Sequence, residues 1–252
     1  MQKFFKTALA LAAFAAAGAS QAAVIDFENL AESPNAPFLP FFTTHLDEFY
    51  QAGYSLLGYS TKAGSMPGVD LVGFLGDGAH IADTCSDQVK CPTNNLTNFY
   101  GTLNDGGLAV YLPDSKEFKM SSLDASFIAT PSTIVPGNAL VLIAFGYDKN
   151  GNNVYSQRFD LPGPVNGAYS FSTYTFDAAN ADILVNEVDI QGYSCAVGTV
   201  NCVRNADKAQ FALDNINVTT ISAVPEPSEW LLMGLGLAVV GGVVRRRRAA
   251  QV

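Results

Sequence analysis

The sequence predicts an all-β protein, an antiparallel β-sandwich of the jelly-roll kind, on three observations. Six short segments between Leu108 and Thr219 alternate apolar and polar residues and are rich in β-branched and aromatic types, the period-two pattern of half-buried strands. Each is bounded by Gly, Pro, Asn or Asp, residues that favour turns. No stretch between them carries a sustained helical face, so strand follows strand, as in a sandwich and not in a βαβ fold.

The elements follow in chain order. Lys3 and Lys6 precede an apolar run, Ala8 to Ala17, that ends in the small residues "AGASQAA". That is the order of a secretory signal peptide, so residues 1–22 are expected to be removed after Ala22 on export. The body, 23–222, opens on "VIDFENL", where an extended chain puts Asp26 and Glu28 on one face and Ile25 and Phe27 on the other. "TTHLDEFYQAG" (Thr43 to Gly53) is the one candidate helical turn, with Thr44 as cap and Leu46, Phe49 and Tyr50 along one side. The six strand segments are then "LAVYLP", "ALVLIAFGYD", "NVYSQRFDL", "AYSFSTYTF", "ILVNEVDIQGY" and "QFALDNINVT". The second and third meet around Asp148-Lys149-Asn150-Gly151-Asn152, and Asn-Gly predicts a hairpin there. Asp148, Asn150 and Asn152 imitate the start of a calcium loop, but the glycine stands fourth instead of sixth and position twelve is Phe159. In the last strand, simple alternation sets Asp214 beside Ala212, Ile216 and Val218 on an apolar face, where a carboxylate needs a turn, a lysine or a cation as partner.

The four cysteines form two local pairs, Cys85 with Cys91 and Cys195 with Cys202. In an exported chain such spacing reads as two loop-closing disulfides, with crosswise pairing left open. A zinc site would want tighter spacing and nearby histidines, and the only histidines are His45 and His80.

Between leader and tail the chain carries 8 basic and 21 acidic residues, a formal charge of −13. That balance excludes a basic footprint for nucleic acid or an anionic membrane. No nucleophile elbow, zinc-protease helix or phosphate loop is present, and neither histidine has a local triad pattern. The chain is therefore expected not to be an enzyme. Nine tyrosines, at 54, 59, 100, 111, 147, 155, 169, 174 and 193, are candidates to stack on sugar rings, although most strand tyrosines are core residues.

After the body comes Val224-Pro225-Glu226-Pro227, then the apolar run Trp230 to Val244, then Arg245, Arg246, Arg247 and Arg248. The run is 15 residues, about 22 Å of helix against a hydrocarbon core near 30 Å, so it is short for a permanent anchor. Arginines at its far end hold residues 249–252 on the cytoplasmic side. The order and spacing closely resemble the PEP-CTERM sorting tail of Gram-negative bacteria. What the resemblance implies is recognition of residues 223–248 in the inner membrane by an exosortase, which follows the secretion machinery, and cutting near Pro-Glu-Pro. The body then reaches the cell surface or is released, commonly where exopolysaccharide is made. Gln210 to Asp214 resembles the Gln-Phe-x-x-Asp strand found upstream of this tail in one group of such proteins.

The "DFE" opening and the closing Phe-x-x-Asp-Asn-Ile are similar to the ends of jelly-roll carbohydrate-binding modules. That likeness implies a structural calcium held by Asp26 or Glu28 with Asp214, an all-oxygen site of the kind calcium prefers. Against it stands a simpler role for Asp214, fixing a loop by hydrogen bonds. The function expected is that of an exported, non-catalytic surface or matrix protein that binds exopolysaccharide. The alternatives are a secreted, glycosidase-like hydrolase and a purely structural matrix component.

Overall fold

Strand follows strand in a computed structural model, which describes residues 20–30, 41–85, 89–113, 116–128, 139–195, 202–204 and 208–221. The fourteen strands are β1 Ser20–Ile25, β2 Phe41–Thr44, β3 Asp47–Gln51, β4 Tyr54–Tyr59, β5 Leu71–Asp77, β6 Asn98–Thr102, β7 Gly107–Tyr111, β8 Phe118–Phe127, β9 Ala139–Tyr147, β10 Asn153–Leu161, β11 Ser172–Thr175, β12 Glu187–Cys195, β13 Cys202–Val203 and β14 Phe211–Ile221. Two single turns, α1 Ile81–Thr84 and α2 Ala178–Ala181, are the only described helices. The expected signal peptide up to residue 19, Val224 to Pro227, the apolar run and Arg245 to Arg248 lie outside the described residues. Among the described residues no helix is long and apolar enough to cross a membrane.

The strands form two antiparallel sheets. Sheet A runs β11-β8-β14-β6-β5-β2, with β1 also paired to β14, and sheet B runs β10-β9-β12-β7-β4-β3, with β13 paired to β12. Alternation decides which side chains enter the core between them: in β10, Tyr155, Phe159 and Leu161 are buried while Ser156, Arg158 and Asp160 are exposed. The main core joins Leu56, Leu108, Leu142 and Ile190 of sheet B to Phe118, Leu123, Phe211 and Val218 of sheet A. A second, small cluster of Phe74, Phe99, Ile128, Ala212 and Cys91 covers the outer face of sheet A. The Cys85–Cys91 disulfide closes over it, and Cys195–Cys202 ties β12 to β13, so both local pairings hold.

The expected turn at Asp148 to Asn152 joins β9 to β10, with Gly151 at φ 76° and its N–H on the Asp148 carbonyl. Hydrogen bonds from the Asn152 side chain, and then from the Asn152 and Asn150 backbones, hold the Asp148 carboxyl down at about 2. The expected helical turn at Thr43 to Gly53 is instead a corner at His45-Leu46, which passes the chain from β2 in sheet A to β3 in sheet B, followed by a tight turn at Ala52-Gly53 into β4. Leu46 takes φ 68°, which ends any helix, and Asp47 Oδ2 accepts from both the backbone and hydroxyl of Thr44. Phe49 then enters the core and Tyr50 faces outward, the period of a strand.

Candidate functional site

Asp214 keeps the face of Ala212, as alternation sets it, but parts from Ile216 and Val218. A β-bulge interrupts β14 between Asp214 and Asn217, where Asn215 takes φ 47°. The inserted residue shifts the parity of the strand, so Phe211, Leu213, Ile216 and Val218 all enter the main core. Asp214 is turned instead to the outer side of sheet A with Ala212. It is 1% exposed there, and its Oδ2 accepts from Asn95 Nδ2 at 2.9 Å and Thr97 Oγ1 at 3.1 Å, while Oδ1 accepts from the Asn215 backbone at 2.7 Å. Directly opposite on β8 is Asp124, whose oxygens take Asn215 Nδ2 and Thr173 Oγ1. Burial, and in smaller part the facing Asp124, push the Asp214 carboxyl up to about 6 against its hydrogen bonds. Asp124, Asp214, Asn95 and Thr173 line a polar cleft of about 290 Å³.

The first-strand acids have other partners. Asp26 Oδ1 accepts from Gln51 Nε2 and from the Glu28 backbone, and Glu28 Oε1 accepts from the Asn98 backbone at 2.6 Å. The three carboxylates expected to share one cation thus have three separate sets of donors. Among the described residues no group of three or more His, Cys, Asp or Glu is arranged to hold a metal ion. The hydrogen-bonding role of Asp214 accounts for its contacts. A thermal scan with and without EDTA tests the expected cation: a lower melting temperature on chelation is the result that the calcium expectation requires. The histidines stand apart from one another: His45 Nδ1 accepts from the Ser60 backbone, and exposed His80 pairs with Asp77.

The tyrosines sort by face. Tyr54, Tyr100, Tyr155 and Tyr169 are core residues, and Tyr174 packs on Phe159 at the margin of the core. Tyr59, Tyr111, Tyr147 and Tyr193 share the outer face of sheet B, because Val188 and Ile190 of β12 point to the core and the alternate residues must point away. Cross-strand partners lie on one face of a sheet, so the pairing of β9, β12, β7, β4 and β3 fixes rows across it. One row reads Tyr147, Glu187, Tyr111, Ser55, Tyr50, and the next reads Phe145, Asp189, Ala109, Leu57, Glu48. In the third, Gln191 is followed by Gly107 and then Tyr59. A Cβ at Gly107 would stand 2.7 Å from the Tyr59 ring, so the absent side chain lets that ring lie across β7. Sequence reasoning named the tyrosines but not this face; the alternation of Glu187, Asp189, Gln191 and Tyr193 was the signal that could have found it.

Charge on this face is unevenly matched. Glu48 accepts from the Tyr111 hydroxyl; burial works to raise its carboxyl, and bonds from Tyr111, Tyr50 and Ser55 outweigh burial and hold it low. Asp189 is pushed up to about 7, first by burial, then by the charge of Glu187 and a hydrogen bond to it. Arg204 lies with its guanidinium carbon 5.7 Å from the Tyr59 ring centre, a cation–π contact, and Nη2 donates to the Asp105 carbonyl. Its Nε and the Tyr59 hydroxyl are buried without a hydrogen-bond partner. Gln191 comes close to that hydroxyl, but Gln191 Oε1 already accepts from Tyr193 at 2.9 Å. The face therefore combines aromatic rings, carboxyl acceptors and two unmet polar groups.

No protein-family model and no curated protein matches the chain. Among solved structures it is similar to a DUF4465 family protein from Bacteroides caccae, at 13% identity over 79% of this chain and 99% of that one, with a TM-score of 0.47. It is also similar to a Streptococcus pneumoniae fucose binding module, at 13% identity over 49% and 70% with a TM-score of 0.28. A third is the CBM22-1 xylan-binding domain from Paenibacillus barcinonensis, at 11% identity over 82% and 99% with a TM-score of 0.28.

Proposed function

We propose that this is an exported, non-catalytic protein of the cell surface or extracellular matrix whose sandwich binds polysaccharide on the outer face of sheet B. The observation that carries the reading is the pair of rows centred on Glu187 and Asp189, which sets half-buried tyrosines beside carboxyl and carboxamide groups on one rigid sheet. Sugars present an apolar ring face and a rim of hydroxyls, so rings for stacking next to acceptors and donors are what their recognition needs. The two disulfides suit an oxidising compartment. Residues 224–248, in their Pro-Glu-Pro, apolar, arginine order, support sorting from the inner membrane by an exosortase.

The test is retention of the purified body on immobilised exopolysaccharide of the producing cells. Tyr147→Ala is expected to weaken retention by about tenfold, the value of one lost aromatic contact, with the melting temperature nearly unchanged because Tyr147 lies outside the core. Equal retention of wild type and variant would remove this face from the reading. The hydrolase alternative gains nothing from Glu187 and Asp189: carboxyls that share a hydrogen bond are closer than the roughly 5 Å or more that separates glycosidase acid pairs.

A further inference from the structure

Resting on the glycan reading of the outer face of sheet B, we propose that the polysaccharide it takes carries free amino groups, with an ammonium seated against Glu187 between Tyr111 and Tyr147. Register supplies the geometry. Glu187 is the direct cross-strand partner of both tyrosines, one on β7 and one on β9. Strands about 4.8 Å apart place these two attachment points roughly 10 Å apart with the carboxylate midway, room for one sugar residue. An ammonium there meets an opposite charge beside the Tyr147 phenol, which lies close to both Glu187 and Asp189, the combination that stabilises organic cations.

Three independent features favour a cation over a neutral or acidic sugar. Glu187 makes no ion pair among the described residues. The same face already stabilises one cation of the chain itself, since Arg204 sits over Tyr59 and is attracted to Asp189. Asp189, one residue pair along on the same face as Glu187, adds a second carboxyl that a cation can meet. A uronate polymer would instead bring its carboxylates against Glu48, Glu187 and Asp189.

The arrangement also predicts a proton change. The groups that face Asp189 are Glu187 on its own strand, Arg204, and the phenols of Tyr59 and Tyr147. Burial and Glu187 hold part of the Asp189 population protonated near neutrality. A bound ammonium favours the ionised carboxylate, so binding between pH 6 and 7 is expected to release a proton.

The experiment is calorimetric titration of the folded body with short oligomers of glucosamine, of N-acetylglucosamine and of galacturonic acid, in two buffers of different ionisation enthalpy. The glucosamine oligomer is expected to bind about tenfold more tightly than its acetylated counterpart, with proton release, and the uronate weakest of the three. Glu187→Gln is expected to abolish that preference. Asp182→Asn, at an exposed acid paired with Lys119, is expected to leave the preference intact. Equal loss from Asp182→Asn would show attraction to net negative charge alone and overturn the proposal. Equal or tighter binding of the acetylated oligomer would overturn the amine assignment while the face survives as a glycan site. If no oligomer binds and Tyr147→Ala retains exopolysaccharide as wild type does, the glycan reading itself falls.

Discussion

Asp214→Ala is expected to cost more stability at pH 4 than at pH 7, the difference between the two reaching about 2.5 kcal/mol. Asp214 is buried, and its carboxyl is raised from 3.8 to about 6 by that burial and by Asp124. At roughly 1.4 kcal/mol per pH unit, such a shift is worth about 3 kcal/mol between its protonated and ionised limits. Its sign follows from which state binds the proton better: the folded protein does, so the contribution is complete below about pH 3.8 and is lost as pH rises through 6. Alanine has nothing to titrate. Asp189, shifted the same way, is present in both proteins and cancels in the comparison. Urea unfolding of both proteins at pH 4, 5.5 and 7 measures it. A pH-independent difference would mean that Asp214 ionises as freely in the fold as in the unfolded chain.

Gly192→Ala is expected to lose about 3 kcal/mol or more at any pH. Gly192 lies on the core side of β12, opposite Leu142, where the chain entering β14 comes closest to sheet B. A Cβ there would stand 2.1 Å from the Ala209 carbonyl oxygen and 2.9 Å from Phe211. The oxygen belongs to backbone and cannot rotate aside, so the sheets must separate locally, loosening a Phe211 side chain that is fully buried. Gly53→Ala makes a control. Its φ is +84° with nothing within 4 Å of a new Cβ, so it carries only the backbone cost of about 1 kcal/mol. Thermal or urea unfolding that ranks the two equally would deny the close approach at Gly192.

Two-residue periodicity made β7, β9, β10 and β14 readable, and cysteine spacing made both disulfides readable, because each is set by local chemistry. Misreadings came where a single residue changes parity. Asn215 at positive φ turns the last strand over by one residue, and alternation carried past it put Asp214 on the apolar side. Leu46 at positive φ turned the chain from one sheet to the other where residues are spaced like a helical turn. Nothing in a leucine announces such a conformation; neighbouring strands impose it. The tyrosine face was visible only in part for a different reason. Which tyrosines on β4, β7, β9 and β12 stand together depends on strand order and register, which join residues as distant as Tyr59 and Tyr193 and leave no mark on either segment alone.

Strand order has a mechanical side as well. β14 lies between β8 and β6, pairs also with β1, and ends at Ile221. A pull transmitted through the chain beyond that residue runs along the axis of β14. It loads many ladder hydrogen bonds with β8 at once, in shear, instead of opening them one after another from an edge. A strand held so on both sides is well placed to bear tension along its own axis.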